Sequence, residues 1–281
     1  MRFSELLANV PGVTREGSLD ADIAAIADDS RKVAAGTLFV ARGGAKADGG
    51  SFIADAIGKG AVAVVAAPET QVPAGVAVAR ASNPALAAAE LAHAFHAFPA
   101  RGLKVAGVTG TNGKTTIAFL LQQCMAQAGR RYGLIGTVQI DDGARVLNSE
   151  LTTPGAIELA ALLARMRDNG CTGVSMETSS HALDQGRVAG IDFAVGIFTN
   201  LSGDHLDYHG TMEAYLASKK ILFERILMDG GTAVLNADVK ESAELDIAAK
   251  KRGLRTLKVG AAACADIILS TKACISFFMS C

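Results

Sequence analysis

KVAGVTGTNGKTTIAFLLQQCMAQAG, residues 104–129, reads as a strand, a turn and a helix in succession. Val105, Gly107 and Val108 end a buried strand, because a short β-branched apolar run leads into a glycine-rich turn. Thr115 to Ala128 is a helix with apolar residues at Ile117, Leu120, Leu121, Cys124 and Met125, closed by Gly129. Between them lie Gly110, Thr111, Asn112, Gly113, Lys114, Thr115 and Thr116. Glycines let the backbone wrap a phosphate chain, so that amide N–H groups and the helix N-terminus face its charge. Lys114 brings a point charge to the β- and γ-phosphates, and the Thr115 hydroxyl is placed to ligate Mg²⁺. The full phosphate-loop pattern has one further glycine, where this chain carries Val108. The order of elements still reads as an ATP site.

Composition narrows what surrounds it. A chain of 281 residues has room for two domains. The richest apolar run, Ala61 to Ala67, is far short of the ~20 residues that span a bilayer. MRFSELLANVPG has no basic stretch leading into an apolar core, so no signal peptide is expected. A net charge of −1 argues against a general nucleic-acid surface. Five cysteines without CxxC spacing indicate neither zinc nor a disulfide framework. The expectation is a soluble cytoplasmic α/β protein.

Over the first hundred residues, apolar runs at Ile23–Ala27, Thr37–Ala41, Ala61–Ala66 and Val76–Ala79 alternate with helical patterns at Ser51–Lys59 and Pro84–Ala97. That alternation argues for an α/β sandwich with a mixed sheet. Two polar stretches, Asp28 to Arg31 and Gly43 to Gly50, fit either plain turns or a ligand loop. His93 and His96 share a face of an alanine-rich helix and read as packing or surface residues. Phe98 to Gly102 ends that helix and marks a domain boundary.

Beyond the glycine-rich loop, Tyr132–Val138 is a strand and Asp141-Asp142-Gly143 a hairpin signal. Thr152 and Thr153 place two hydroxyls before a helix that runs to about Asn169. Thr172–Met176 is a further buried strand with Glu177 at its carboxyl end, where ligands of doubly wound sheets bind. Glu177 is there either a Mg²⁺ ligand or a charge at a helix N-terminus. Ile191–Asn200 is another strand, followed by two aspartates and two histidines between Asp204 and His209. In the helix Thr211–Met228, Met212, Tyr215, Leu216, Leu222, Phe223 and Ile226 form an apolar stripe with Lys219 in its middle. Lysine is rarely buried without a partner, so Lys219 either snorkels or points at a site. Lys220, beside Glu213 and Glu224, is the ordinary surface lysine.

TGTNGKTT (109–116), LTTPGAIEL (151–159), METSSHALDQGRV (176–188), TNLSGDHLDYHG (199–210) and YLASKKILF (215–223), all collinear, resemble the Mur ligases of bacterial peptidoglycan synthesis. The resemblance is strongest to the branch that extends UDP-MurNAc-L-Ala-D-Glu with a diamino acid, meso-diaminopimelate by default. DSR (29–31) and the run from Leu38 to Ala61 fit that branch's UDP-binding domain. The resemblance implies an N-terminal UDP-binding α/β domain over 1–100 and a P-loop, doubly wound, mostly parallel sheet domain over 101–270. It implies ATP-dependent activation of the D-glutamate carboxylate as an acyl phosphate, then attack by the amine.

Gly110 to Thr116 would hold the ATP phosphates, with Lys114 catalytic. Thr115 and Glu177 would ligate one Mg²⁺, and His205 with Lys219, as a carbamate, a second. Ser30, Ala45, Lys46, Ala47, Thr152, Thr153, Ser179, Gln185 and Arg187 would bind the UDP-sugar peptide. The implied protein is a cytoplasmic monomer without nucleic-acid or membrane partners. Leu151 and Gly203 stand where relatives carry asparagine and arginine. Nothing here corresponds to the family's third, C-terminal domain. Residues 271–281 fit nothing in the family, and Cys264, Cys274 and Cys281 crowd the last eighteen residues. The expectation is an incomplete central sheet and a chain that binds nucleotide or UDP-substrate without turning over. Another ligase of the superfamily, such as a folylpolyglutamate synthase, is the alternative.

Overall fold

The computed structural model describes residues 1–43, 49–262 and 264–268. The chain divides into two compact units. The first holds Met1–Pro99 together with Pro154–Arg165 and Gln185–Gly190, and the second holds the remaining segments from Ala100 onward.

In the first unit, α1 (Phe3–Leu7), β1 (Val13–Glu16), β2 (Ala25–Ala27), β3 (Thr37–Val40), α2 (Ile53–Gly58), β4 (Ala61–Ala66), β5 (Ala77–Ala81) and α3 (Pro84–Phe95) follow in order. Their sheet runs β1-β5-β4-β3-β2, parallel except for β1. Successive strand residues point to opposite faces. Leu38, Val40, Ala63 and Val65 therefore pack into one cluster with Phe3 and Leu91, while Phe39, Val64 and Ala66 pack into another with Ile53. A sheet buried on both faces explains why its strands are apolar runs rather than alternations. α3 starts where the Asn83 side chain accepts the Leu86 N–H at 3.1 Å, with Pro84 in the first turn.

The second unit contains β6 (Lys104–Thr109), α4 (Lys114–Gln127), β7 (Tyr132–Ile135), β8 (Gln139–Asp141) and β9 (Val146–Asn148). α5 (Ala156–Asp168), most of which belongs to the first unit, leads to β10 (Gly173–Glu177), α6 (Ser180–Asp184), β11 (Phe193–Phe198), α7 (Leu206–His209) and α8 (Met212–Ile221). β12 (Leu227–Asn236), α9 (Ser242–Lys251), β13 (Arg255–Gly260) and β14 (Ile267–Ile268) complete it. Among the described residues the sheet order is β14-β13-β12-β11-β6-β10-β7-β8-β9, with the β7–β8 and β8–β9 pairings antiparallel and the others parallel. β10 flanks β6 on one side and β11 on the other. The winding therefore reverses beside β6, and the crevice of such a reversal opens at the carboxyl ends of these strands.

Three local expectations change. α4 buries Ala118 and Gln122, whereas Leu120 is half-exposed and Cys124 exposed. The inward stripe is rotated because the Gln122 amide donates to the Tyr132 carbonyl and the Asp141 carboxylate, at 3.1 and 2.8 Å. β7 stops at Ile135, and Val138 lies exposed beyond it, because the Thr137 N–H turns towards Glu177. α8 ends at Ile221 and passes through a π-helical turn, Leu222–Ile226, so that Met228 lies in β12. The wider turn buries Leu222 and Phe223 together before the strand begins.

Candidate active site

The carboxyl ends of β6, β10 and β11 bring the predicted loop, Glu177 and Thr199 together. Gly110 has φ +146, and a Cβ there would fall 1.9 Å from Thr199 Oγ1, so no other residue fits. The 199–202 segment buttresses the loop. Thr199 donates to the Asn112 carbonyl at 2.6 Å, Thr111 N–H to the Asn200 carbonyl at 3.0 Å, and Asn112 N–H to Asn200 Oδ1 at 3.0 Å. Gly113, in the left-handed region, hands the chain to α4 at Lys114.

Two lysines meet at one carbonyl. Lys114 Nζ donates to the Gly110 and Thr111 carbonyls at 3.0 and 2.8 Å. Lys219 Nζ, 1 % exposed as a residue, donates to the same Gly110 oxygen at 3.0 Å and lies 4.1 Å above the Tyr215 ring. Burial lowers the Lys114 ammonium below the ordinary lysine range, against the pull of Glu177 and Asp204. Burial and then Lys114's charge lower Lys219 to about 7. At neutral pH a sizeable fraction of Lys219 is therefore free amine.

Glu177 is 1 % exposed and sits in a cradle of neutral donors. Thr115 Oγ1 lies 3.0 and 2.9 Å from its two oxygens, the Thr137 N–H donates at 2.7 Å, and Thr137 Oγ1 lies at 3.1 Å. Gly136 makes room, since a Cβ there would stand 2.5 Å from Glu177 Oε1. The cradle extends to the threonine pair. Thr137 Oγ1 is 3.0 Å from Thr152 Oγ1, and Thr153 donates to the Glu177 carbonyl at 2.9 Å while accepting the Ser179 N–H at 3.1 Å. Thr115 and Glu177 thus offer two adjacent hard oxygens at the head of α4, a donor set that suits Mg²⁺.

His205 has φ 54 and faces Asp204 Oδ2 at 3.6 Å. Its ring lies edge-on to His181 at 5.0 Å and to Tyr215 at 6.1 Å, so His205 and Lys219 both lie against Tyr215. His209 packs on Tyr215 at 5.0 Å, and burial lowers its imidazole below the usual range. Among the described residues no group of three or more His, Cys, Asp or Glu is arranged to hold a metal. Any ion here would rest on hydroxyl, phosphate or modified-lysine oxygens as well.

The remaining predicted residues fall in both units. Ser30 is buried at the start of a 3-10 turn, beside Asp29, whose carboxyl Arg31 holds down at about 2. Arg187 donates to Gln185 Oε1 at 3.0 and 2.6 Å in the first unit, whereas Thr152, Thr153 and Ser179 belong to the second. Ala45, Lys46, Ala47 and the 271–281 tail lie outside the described residues. Leu151 is half-exposed and Gly203 exposed. Sequence reasoning passed over Thr137, Gly136, Thr199 and His209. Thr199 and His209 carried a signal, since both stand in the 199–210 motif without a role of their own, whereas Gly136 and Thr137 carried none.

The family model described as the Mur ligase middle domain matches residues 108–278, and that described as the Mur ligase family catalytic domain matches residues 22–96. UDP-N-acetylmuramoyl-L-alanyl-D-glutamate--2,6-diaminopimelate ligases from Listeria innocua and Rhizobium meliloti are each 42% identical to this chain, over 88% and 92% of it. The chain spans about half of these relatives, 51% and 52% of their lengths. A solved structure of an enzyme of that name superposes with TM-score 0.74 at 30% identity, covering 87% of this chain and 50% of that one. A MurF from Acinetobacter baumannii shares the fold, with TM-score 0.65 at 18% identity, covering 95% of this chain and 55% of that one. With the middle-domain match spanning more than half of its residues, and these motifs gathered at one sheet reversal, the chain belongs to the Mur ligase family.

Proposed function

We propose that this chain carries the nucleotide and UDP-substrate machinery of an ATP-dependent ligase that joins meso-diaminopimelate to UDP-MurNAc-L-Ala-D-Glu. The observation that carries the reading is the convergence at β6 and β10. A phosphate loop, two lysines on one carbonyl and a cradled carboxylate meet there, and the cradle reaches the Thr152–Thr153 pair through Thr137 and the Glu177 carbonyl. A carboxylate is a poor electrophile, so a D-glutamate carboxylate oxygen attacks the γ-phosphorus of ATP. The bond from that phosphorus to the β,γ-bridging oxygen breaks, and ADP departs, leaving an acyl phosphate. The incoming amine then attacks the acyl carbon, and the tetrahedral intermediate collapses to amide and phosphate.

The loop amides of Gly110 to Thr116 bind the phosphates, and Lys114 turns from its own carbonyls to the transferred group. Thr115 and Glu177 would hold Mg²⁺, which supplies charge neutralisation where two anions meet. Lys219, as a carbamate, and His205 would serve a second ion. Thr152, Thr153, Ser179, Ser30, Gln185 and Arg187 orient the UDP-sugar peptide. The reading includes a cytoplasmic monomer without nucleic-acid partners. Among the described residues, no helix is long and apolar enough to cross a membrane.

Calorimetric titration with a non-hydrolysable ATP analogue and Mg²⁺ tests the nucleotide half. Lys114→Ala should weaken binding by about 100-fold, the loss of charge-assisted hydrogen bonds to phosphate. Equal affinity in both proteins would sink the assignment. Mass spectrometry after incubation with ATP, UDP-MurNAc-L-Ala-D-Glu and diaminopimelate tests the reaction, with a folate substrate as control. Product from folate alone would move the chain to another branch.

A further inference from the structure

The proposed chemistry uses His205 but leaves His209, at the end of α7, without a role. The His209 ring lies between two helices, with Nε2 3.0 Å from Ser180 Oγ on α6 and Nδ1 3.2 Å from Ser218 Oγ on α8. Ser218 directs its only proton to the Ala214 carbonyl at 3.0 Å. With the proton on that carbonyl its oxygen accepts from His209, the arrangement in which the ring hydrogen is on Nδ1. In the neutral ring Nε2 is then bare and accepts from the Ser180 hydroxyl.

The two helices do different things. On α8, the His209 ring packs at 5.0 Å, tilted 30°, against Tyr215. Tyr215 carries Lys219 over its face, and its hydroxyl lies 3.3 Å from Thr111 Oγ1 in the phosphate loop. On α6, Ser180 follows Ser179, whose N–H donates to Thr153. One imidazole thus ties the threonine side of the site to the lysine side. An apolar side chain of the same size would fill the space without fixing α8 along its axis.

We propose that His209 is a positioning residue whose Nδ1–H tautomer clamps α6 to α8 and sets Tyr215 and Lys219 against the phosphate loop. The value of the clamp to turnover rests on the ligase reading; the clamp itself does not. His209→Phe keeps a ring and deletes both nitrogens, and Ser218→Ala deletes one partner while leaving the helix intact.

Three quantities are measured on the whole chain: affinity for Mg²⁺ with a non-hydrolysable ATP analogue, the pH profile of Lys219 acylation by acetic anhydride, and the unfolding midpoint. Acylation is followed by peptide mass spectrometry. Both variants should bind the analogue about 10-fold more weakly, roughly one or two hydrogen bonds' worth. Their Lys219 profiles should move to higher pH as the amine gains water. The double variant should lose no more than His209→Phe, and His209→Gln should recover part of the loss.

A lower midpoint with unchanged affinity and an unchanged Lys219 profile would make His209 a packing residue and overturn the proposal. Strictly additive losses would overturn it too. If wild type bound no analogue while the Lys219 profile still moved, the clamp would stand and the ligase reading would fall.

Discussion

Lys219 and His93 are both fully buried ionisable side chains on helices, one in each unit. Burial is the first cause of both shifts, which lower Lys219 to about 7 and His93 to about 4. Their surroundings differ. Lys219 donates to a phosphate-loop carbonyl, covers an aromatic face and feels a second lysine. Neither ring nitrogen of His93 has a hydrogen-bond partner, and its helix contributes Ala87, Ala88, Leu91 and Ala94 to the core around the sheet. A buried charge is informative through what it touches. His93 fills space as a neutral ring, whereas Lys219 is kept where an apolar residue would be more stable.

Lys219→Met puts that contrast under the greatest strain. Affinity for Mg²⁺ with a non-hydrolysable ATP analogue should fall by about 100-fold, the loss of a charged group held against the phosphate loop. Thermal unfolding should move the other way, with the fold gaining about 1–3 kcal/mol from replacing a buried amine by an apolar side chain. The counterpart His93→Leu should leave nucleotide affinity near wild type. A loss of nucleotide affinity in His93→Leu as large as in Lys219→Met would erase the distinction.

Acid should single out His93. Its pKa is about 4 in the folded protein and 6.5 when free. Between those values the unfolded chain takes up a proton that the folded chain refuses. Stability present above pH 6.5 is therefore lost as pH falls towards 4, by roughly 3 kcal/mol. Denaturant unfolding of wild type and His93→Leu across that range checks the sign, since the variant should lack this part of the acid loss. Parallel curves would mean that His93 has a partner or a water that satisfies it.

Much of this was legible beforehand. The loop, Glu177 at a strand end and Lys219 inside an apolar stripe each carry a local signal, since glycine spacing, strand polarity and helical period are properties of short segments. The cradle was not, because Thr137 and Thr199 reach Glu177 and Gly110 only through the sheet register that aligns β7, β10, β6 and β11. The stripe on α4 misled for the opposite reason. Periodicity located a face, but the Gln122 amide found buried oxygens at Tyr132 and Asp141, and Leu120 was left in water.

The smallest effect is expected one residue from the largest. Lys220 differs from Lys219 only in its place on α8, where a rotation of about 100° per residue turns it away from the phosphate loop. Its Nζ lies 3.2 Å from Glu224 Oε1, four residues on, with both side chains partly in solvent. Such a pair contributes about 0.3–0.5 kcal/mol and is screened by salt. Lys220→Ala should therefore shift unfolding by no more than that, less still at high ionic strength, and leave nucleotide affinity unchanged. If Lys220→Ala abolished nucleotide binding while Lys219→Met did not, the lysine that serves the phosphate loop would be Lys220. The contrast between a partnered buried charge and an ordinary surface one would then have to be drawn again around Lys220.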